Sequence, residues 1–335
     1  MDQPPATDDT ARPRLPLARY RLHFHAEGRP RLPPYTGSAW RGAFGHALRT
    51  AACATGAPSC GGCLLYSSCV YAYLFETAPP PDSAKMRRYN RVPHPFVLRP
   101  LPPAPAGRHG TDQQLLLTVF GRANDQLAYF VHSLQGAGNG GIGAGRTPMT
   151  LTAVEQEAPP GSDRWTTIHV PGQALSPLPP APPPVPVPPR RVTLELQTPL
   201  RLQSKGRPVG PDRLLVADLA GNLLRRISML THFHTDTPLE TDFAGLMSRA
   251  RRLAWTRAEF HWHDWARYSS RQSTRVPMGG LLGSAALEGA ALGAFWPYLW
   301  LGQWCHAGKG TSMGLGAYRL SDGKLGGPPA TEAAL

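Results

Sequence analysis

Gly308-Lys309-Gly310-Thr311-Ser312-Met313-Gly314-Leu315-Gly316 runs straight into Ala317-Tyr318-Arg319-Leu320, a segment that alternates apolar and polar residues. A weaker copy, Gly138-Asn139-Gly140-Gly141-Ile142-Gly143-Ala144-Gly145-Arg146, leads into Met149-Thr150-Leu151-Thr152-Ala153-Val154 near the middle of the chain. Two glycine loops, each opening a strand near the end of one half, point to a duplicated module. Glycine lets a backbone approach a ligand closely, and the basic residues Lys309 and Arg146 beside the loops suit an anion. Nucleic acid is the ligand class this suggests.

Outward from each loop, both halves read as βαββαβ. The first begins with a strand over Leu17–His25, then a helix from Gly37 to Ala52 with Trp40, Phe44 and Leu48 on one face. Strand-like runs follow at Val70–Glu76, Phe96–Arg99 and Gln114–Phe120, and a second helix spans Asn124–Leu134. The second half repeats the order with Val192–Thr198 as a strand and Leu214–His232 as a helix striped by Leu219, Leu223, Ile227 and Leu230. Arg257–Arg267 and Val276–Leu287 read as strands and Phe295–Cys305 as a short helix before the glycine loop. The expected class is α+β, two tandem ferredoxin-like (RRM-like) domains with a cysteine-rich metal-binding insert in the first.

Pro177 to Pro189, where proline alternates with Leu, Ala and Val, forms neither a helix nor a central strand and reads as a polyproline II spacer. The domain plan is therefore a disordered N-terminus at 1–16, a first domain at 17–170 and a proline-rich linker at 171–190. The second domain covers 191–325 and a tail 326–335.

Charge supports an anionic partner. Lys plus Arg number 35 against 22 acids, a formal net charge of +13. Nearly all of it is arginine, whose planar fork suits phosphates and base edges; the lysines are Lys85, Lys205, Lys309 and Lys324. Met1 to Pro13 carries no apolar h-region, so a cytoplasmic location is expected. Leu281–Leu301 contains Glu288 and Pro297 and reads as a buried strand and helix, not a membrane span. Gly-Lys-Gly-Thr-Ser at 308–312 is no P-loop either, because Gly302 lies six positions before Gly308 and Gly310 follows Lys309. Membrane and nucleotide-cofactor roles are thereby set aside.

Cys53, Cys60, Cys63 and Cys69 are spaced C-x6-C-x2-C-x5-C around a Cys-Gly-Gly-Cys knuckle. In a cytosolic chain such thiolates imply a metal more than disulfides. Structural zinc is the expectation, with a [4Fe–4S] cluster as the alternative. Cys305 reads as a core residue.

Chemistry is sought first in Trp40-Arg41-Gly42-Ala43-Phe44-Gly45-His46-Ala47-Leu48-Arg49. If helical, His46 lies about 160° around from Phe44, and Arg49 is one turn beyond His46. A second constellation, His261-Trp262-His263-Asp264-Trp265-Ala266-Arg267-Tyr268-Ser269-Ser270-Arg271-Gln272, mixes aromatics and arginines as RNA-binding sheets do, with Arg267, Tyr268 and Arg271 as contact residues.

Several phrases carry a resemblance: Tyr-Thr-Gly-Ser-Ala-Trp-Arg-Gly-Ala-Phe-Gly-His-Ala-Leu-Arg from Tyr35, Arg-Tyr-Ser-Ser-Arg-Gln from Arg267, Met-Gly-Gly-Leu-Leu-Gly from Met278, and His-Ala-Gly-Lys-Gly-Thr-Ser-Met-Gly-Leu-Gly from His306. Together, over about residues 17–322, they resemble the CRISPR-associated pre-crRNA-processing endoribonucleases of the RAMP superfamily, and the cysteine insert looks like that of a subgroup. The resemblance implies tandem ferredoxin-like domains that bind CRISPR repeat RNA and cut precursor crRNA without a catalytic metal. The ribose 2′-OH attacks the adjacent phosphate, leaving 2′,3′-cyclic phosphate and 5′-OH ends. It also implies a histidine on or near the first helix, helped by a tyrosine and a lysine. His46 matches the histidine and Tyr35 the tyrosine. The helix holds no lysine, so Arg41 or Arg49 would supply the charge. The hallmark loop would grip RNA through Gly308, Lys309, Gly310, Thr311, Ser312, Gly314 and Gly316, with Arg146 on the weaker copy. Partners implied are repeat RNA or crRNA and subunits of a CRISPR effector complex. The alternative reading is a non-catalytic RNA-binding subunit of such a complex that holds the guide.

Overall fold

The computed structural model describes residues 12–28, 30–77, 92–102, 112–204, 206–269 and 274–322. In the first half, β1 (Leu17–His25) leads to α1 (Gly37–Ala52), β2 (Phe96–Pro100), β3 (Gln113–Phe120), α2 (Leu127–Asn139), β4 (Thr150–Glu157) and β5 (Trp165–His169). The sheet order is β2-β3-β1-β4-β5, antiparallel throughout. Its first four strands have the ferredoxin-like arrangement, and β5 extends the β4 edge.

One face of β1 buries Ala18, Tyr20, Leu22 and Phe24 against the helices. On α1, Trp40, Phe44 and Leu48 recur every fourth residue and all are buried. Phe44, Phe96 and Phe130 form a ring trio with centroids 5.4–5.5 Å apart that pins both helices to the sheet. Such pairs add about 0.5–1.5 kcal/mol each beyond area burial.

The second half runs β6 (Arg191–Leu200), β7 (Gln203–Ser204), β8 (Arg207–Pro208), α3 (Val216–His234), α4 (Phe243–Ala250), β9 (Arg257–His263), β10 (Ala266–Ser269), β11 (Thr274–Pro277), β12 (Gly280–Glu288), α5 (Trp296–Cys305) and β13 (Tyr318–Ser321). The main sheet, β13-β6-β12-β9, repeats the ferredoxin-like order. β7–β8 and β10–β11 form separate two-stranded hairpins.

The structure departs from the sequence reading in several places. Val70–Glu76 is not a strand: it winds into a helical turn over Ala72–Glu76, with Tyr71 and Phe75 stacked 5.5 Å apart at i, i+4. Its aromatic and β-branched residues favour strands, but the Tyr71–Phe75 stack and the Tyr73 amide donating to the Cys69 carbonyl hold it helical. The long strands expected at 257–267 and 276–287 each break, at Asp264–Trp265 and Met278–Gly279, and their inner ends form the β10–β11 hairpin. β5 and α4 were not anticipated; α4 is capped by Asp242, whose carboxylate accepts from the Gly245 amide at 2.8 Å.

The proline-rich segment is docked, not a free spacer. Ala181 pairs with Leu17 in both directions at 3.1 Å. Trp296 and Trp300 donate their indole N–H groups to the carbonyls of Pro186 (2.7 Å) and Pro184 (2.9 Å). Polyproline II leaves its carbonyls without internal partners, and buried indoles need acceptors, so each satisfies the other. Leu15, within the stretch expected to be disordered, is fully buried beside Leu17, Val97 and Phe120 in the core of the second half. The two halves thus share apolar contacts at their junction. Among the described residues, no helix is long and apolar enough to cross a membrane.

Candidate functional site

The glycine loop is built into that junction. A side chain on Gly314 would stand 2.5 Å from the Tyr35 hydroxyl, and one on Gly37, at the start of α1, would stand 2.1 Å from the Met313 carbonyl. The Tyr35 hydroxyl donates to that same carbonyl at 2.6 Å. The glycines therefore let the loop press against α1 and β2. An open cradle of loop amides, as the sequence suggested, is not what forms. The amides of Lys309, Met313, Gly314, Leu315 and Gly316 donate to the carbonyls of Arg201, Gly310, Thr311, Gly310 and Pro199. The Gly308 amide goes to Asn222 Oδ1 at 2.7 Å. Thr311 and Ser312 are buried, and Lys309 is the exposed member, its Nζ 2.5 Å from Gln203 Oε1.

Arg41 joins helix to loop. Its Nε donates to Ser312 Oγ at 3.0 Å, its Nη2 contacts His94 Nε2 at 2.9 Å, and its guanidinium lies 4.3 Å from the Phe75 ring centre. Arginine has only donors, so His94 Nε2 accepts and the imidazole is neutral, with its proton on Nδ1. That proton faces Thr77 Oγ1 at 3.2 Å, and the threonine hydroxyl donates onward to the Val92 carbonyl at 3.0 Å. The Phe75 and Phe96 rings flank His94 with centroids 5.9 and 5.7 Å away. Burial, reinforced by nearby Arg267, lowers the Arg41 pKa to about 10, which leaves it cationic at neutral pH.

Arg267, from the β10–β11 hairpin, reaches across to Ser38 of α1 at 3.2 Å. Its charge also lowers the pKa of Arg201, after the larger effect of burial. Arg201 in turn donates to the hairpin carbonyls of Gly279 (3.1 Å) and Pro277 (3.2 Å). Three guanidinium groups and the hydroxyls of Ser38 and Ser312 therefore lie where α1, loop and hairpin meet. Such preorganised donors suit a phosphate that gains charge in a transition state.

The proposed catalytic set does not converge there as a whole. Tyr35 is buried, its phenol is engaged by Met313, and burial raises its pKa, so it is placed as a packing residue. His46 is exposed on α1. It lies five residues beyond Arg41, about 7.5 Å along the axis and about 140° around it. Among the described residues its ring has no hydrogen-bond partner. Arg49, one turn on, donates to the Ala57 carbonyl in the cysteine loop. Arg146 is exposed at the weaker loop, with Nε 3.3 Å from the Gly140 carbonyl. Tyr268 pairs through its backbone with Arg275 in the hairpin, and Arg271 lies outside the described residues.

Cys53, Cys60, Cys63 and Cys69 form no disulfide. Among the described residues, no group of three or more His, Cys, Asp or Glu side chains is gathered to hold a metal ion. The zinc or iron–sulfur ligand set expected from the spacing therefore finds no support in this geometry. Cys53 caps α1 by donating to Arg49, Cys69 accepts from the Tyr73 amide, and the Cys63 amide donates to Cys60 in a tight turn. Thr55 Oγ1 lies 3.9 Å from Cys53 Sγ and 3.6 Å from Cys63 Sγ.

Sequence reasoning missed Ser38, Arg201 and His94. Ser38 stands inside the motif quoted from Tyr35, which was a usable signal. His94 is 53 residues from Arg41 in a loop without periodicity, and nothing in its spacing links the two.

Residues 15–180 match a family model described as an N-terminal domain, and residues 194–318 match that of the CRISPR-associated endoribonuclease Cas6. No curated protein matches the chain. Among solved structures, a Cas6 product complex superposes with a TM-score of 0.54 at 19% identity, over 91% of this chain and 99% of that one. Thermus thermophilus Cas6 gives a TM-score of 0.51 at 17% identity, over 92% and 99%. A histidine-to-alanine mutant of a Cas6 gives 0.50 at 16% identity, over 92% and 100%. At these identities the likeness is one of fold. Residues 194–318 are thus similar in sequence to the Cas6 endoribonucleases.

Proposed function

We propose that the chain binds CRISPR repeat RNA and cuts precursor crRNA at the junction of α1, the glycine loop and the β10–β11 hairpin. The observation that carries this reading is the meeting of Arg41, from the helix that also bears His46, with Arg267 of the hairpin and Arg201 beside it, in a chain whose residues 194–318 match the Cas6 endoribonucleases.

The reaction needs a base, an acid and a cation. A base takes the proton of the ribose 2′-OH, the 2′-oxygen bonds to phosphorus, and the bond from phosphorus to the 5′-oxygen breaks. The leaving oxygen takes a proton, which gives 2′,3′-cyclic phosphate and 5′-OH ends. His46 fills the proton-transfer role, because an imidazole can accept a proton on one ring nitrogen and donate from the other. Arg41 and Arg267 stabilise the charge that builds on the phosphate. No catalytic metal enters the proposal, and the four cysteines take no part in it.

The second reading, a subunit that holds guide RNA without cutting it, draws on the position of His46, around the helix from Arg41 and, among the described residues, without an orienting partner. One experiment separates the two: labelled repeat RNA is incubated with the protein in EDTA, then with His46→Ala. The first reading expects cleavage in EDTA and a rate about 10²–10⁴-fold lower in the variant. Cleavage that requires a divalent ion overturns the chemistry, and binding without any cut establishes the second reading. Cleavage unchanged in His46→Ala moves the proton-transfer role to another residue.

A further inference from the structure

Between the two sheets, where β1 and β3 face β6 and β13, lies a cavity of about 20 Å³. It is lined by Arg19, Arg99, Arg319, Thr118, Gln197 and His306 among others. Its volume holds a single water-sized particle. Its walls carry an unusual charge balance. Arg19 is neutralised by Glu157 at 2.7 Å, and both side chains are buried. Arg99 is only 8% exposed, and among the described residues its Nε and Nη2 have no hydrogen-bond partner. The buried Nε of Arg319 also lacks one. Among the described residues, no carboxylate acts on Arg99: burial, the main effect, lowers its pKa to about 10, so it stays cationic at neutral pH. His306 gives no compensation, because its Nδ1 faces the Leu315 carbonyl at 3.1 Å and burial holds its ring neutral.

A buried cation without a counter-charge is costly, and so is each unsatisfied N–H. Water would meet the N–H groups but leave the charge. We infer that this cavity binds a small inorganic anion of halide size, held by Arg99 and Arg319 at the seam between the two halves. The anion supplies the missing negative charge and ties β2 of the first sheet to β13 of the second. It lies behind the glycine loop and not among the junction's guanidinium groups: neither arginine belongs to the Arg41–Arg267–Arg201 cluster, while Gly314 of the loop packs against the Arg99 backbone.

The test compares thermal midpoints of the full chain in sodium chloride and sodium gluconate at equal ionic strength and pH, since gluconate is too large for the cavity. Binding of chloride only to the folded state raises the midpoint by roughly 2–4 °C, with the rise growing with chloride concentration. Arg99→Met removes that difference. Equal midpoints in the two salts, or a chloride effect that survives in Arg99→Met, would overturn the inference. Crystals of the unaltered chain in bromide give a second readout that needs no variant: an anomalous peak beside Arg99 supports the anion, and a site holding only water contradicts it.

Discussion

The two glycine loops share a composition but not a role. The loop at 308–316 is buried between the halves, and its amides donate to Arg201, Pro199, Asn222 and the loop itself. The loop at 138–146 leaves Ala144, Gly145 and Arg146 exposed and turns back on itself through the Ile142–Thr147 bridge. Gly316 has φ 69°, and a Cβ there would stand 1.8 Å from the Ala307 carbonyl; Gly145 has open space to 3.7 Å. A run of glycines thus reports close backbone packing as readily as a phosphate cradle. What gives the first loop its chemistry is Ser312 in the grip of Arg41.

The contrast breaks most sharply in stability. Gly316→Ala sets a side chain against a fixed carbonyl in a left-handed conformation and should cost about 3 kcal/mol or more, enough to shift a urea midpoint grossly or prevent folding. Gly145→Ala should stay within about 0.5 kcal/mol. Equal costs at Gly316 and Gly145 would erase the distinction.

Acid attacks the same junction from another side. His234, at the end of α3, is 2% exposed and reaches the first half through Pro93 and Tyr73. Burial lowers its pKa from 6.5 to about 4. Between those values the unfolded chain binds a proton that the folded chain refuses. Stability is therefore complete above about pH 6.5 and falls as pH drops toward 4, by on the order of 3 kcal/mol. Chemical melts at stepped pH check this, and His234→Gln should flatten the profile over that range.

The smallest effect concerns RNA affinity. Lys309→Ala should lower the log–log salt slope of repeat-RNA binding by about 0.7–1. Arg146→Ala should lower it less, because that guanidinium is directed at the Gly140 carbonyl. A larger drop for Arg146 would make the weaker loop the chief phosphate contact of the two.

Much of the fold was legible because period and order were intact. Trp40, Phe44 and Leu48 marked α1, the stripe from Leu219 to Leu230 marked α3, and βαββαβ appeared twice. Long-range packing was not legible. Val70–Glu76 reads as a strand by residue type and is held helical by the Tyr71–Phe75 stack and the Tyr73 amide donating to Cys69. The Pro177–Pro189 segment reads as a spacer because nothing local reveals that Trp296 and Trp300 need its carbonyls. At the site, Arg41 and the loop were visible as motifs. That Tyr35 is buried and that His94 holds Arg41 follow from tertiary contacts that no spacing encodes, whereas the turn of His46 away from Arg41 follows from their five-residue separation on α1.

The most direct test of the junction is the single-turnover cleavage rate of repeat RNA by Arg41→Ala, measured in EDTA at saturating protein. The account predicts a rate about 10²–10³-fold below that of the unaltered chain, with RNA still bound. An unchanged rate would place the chemistry elsewhere on the molecule and contradict the account.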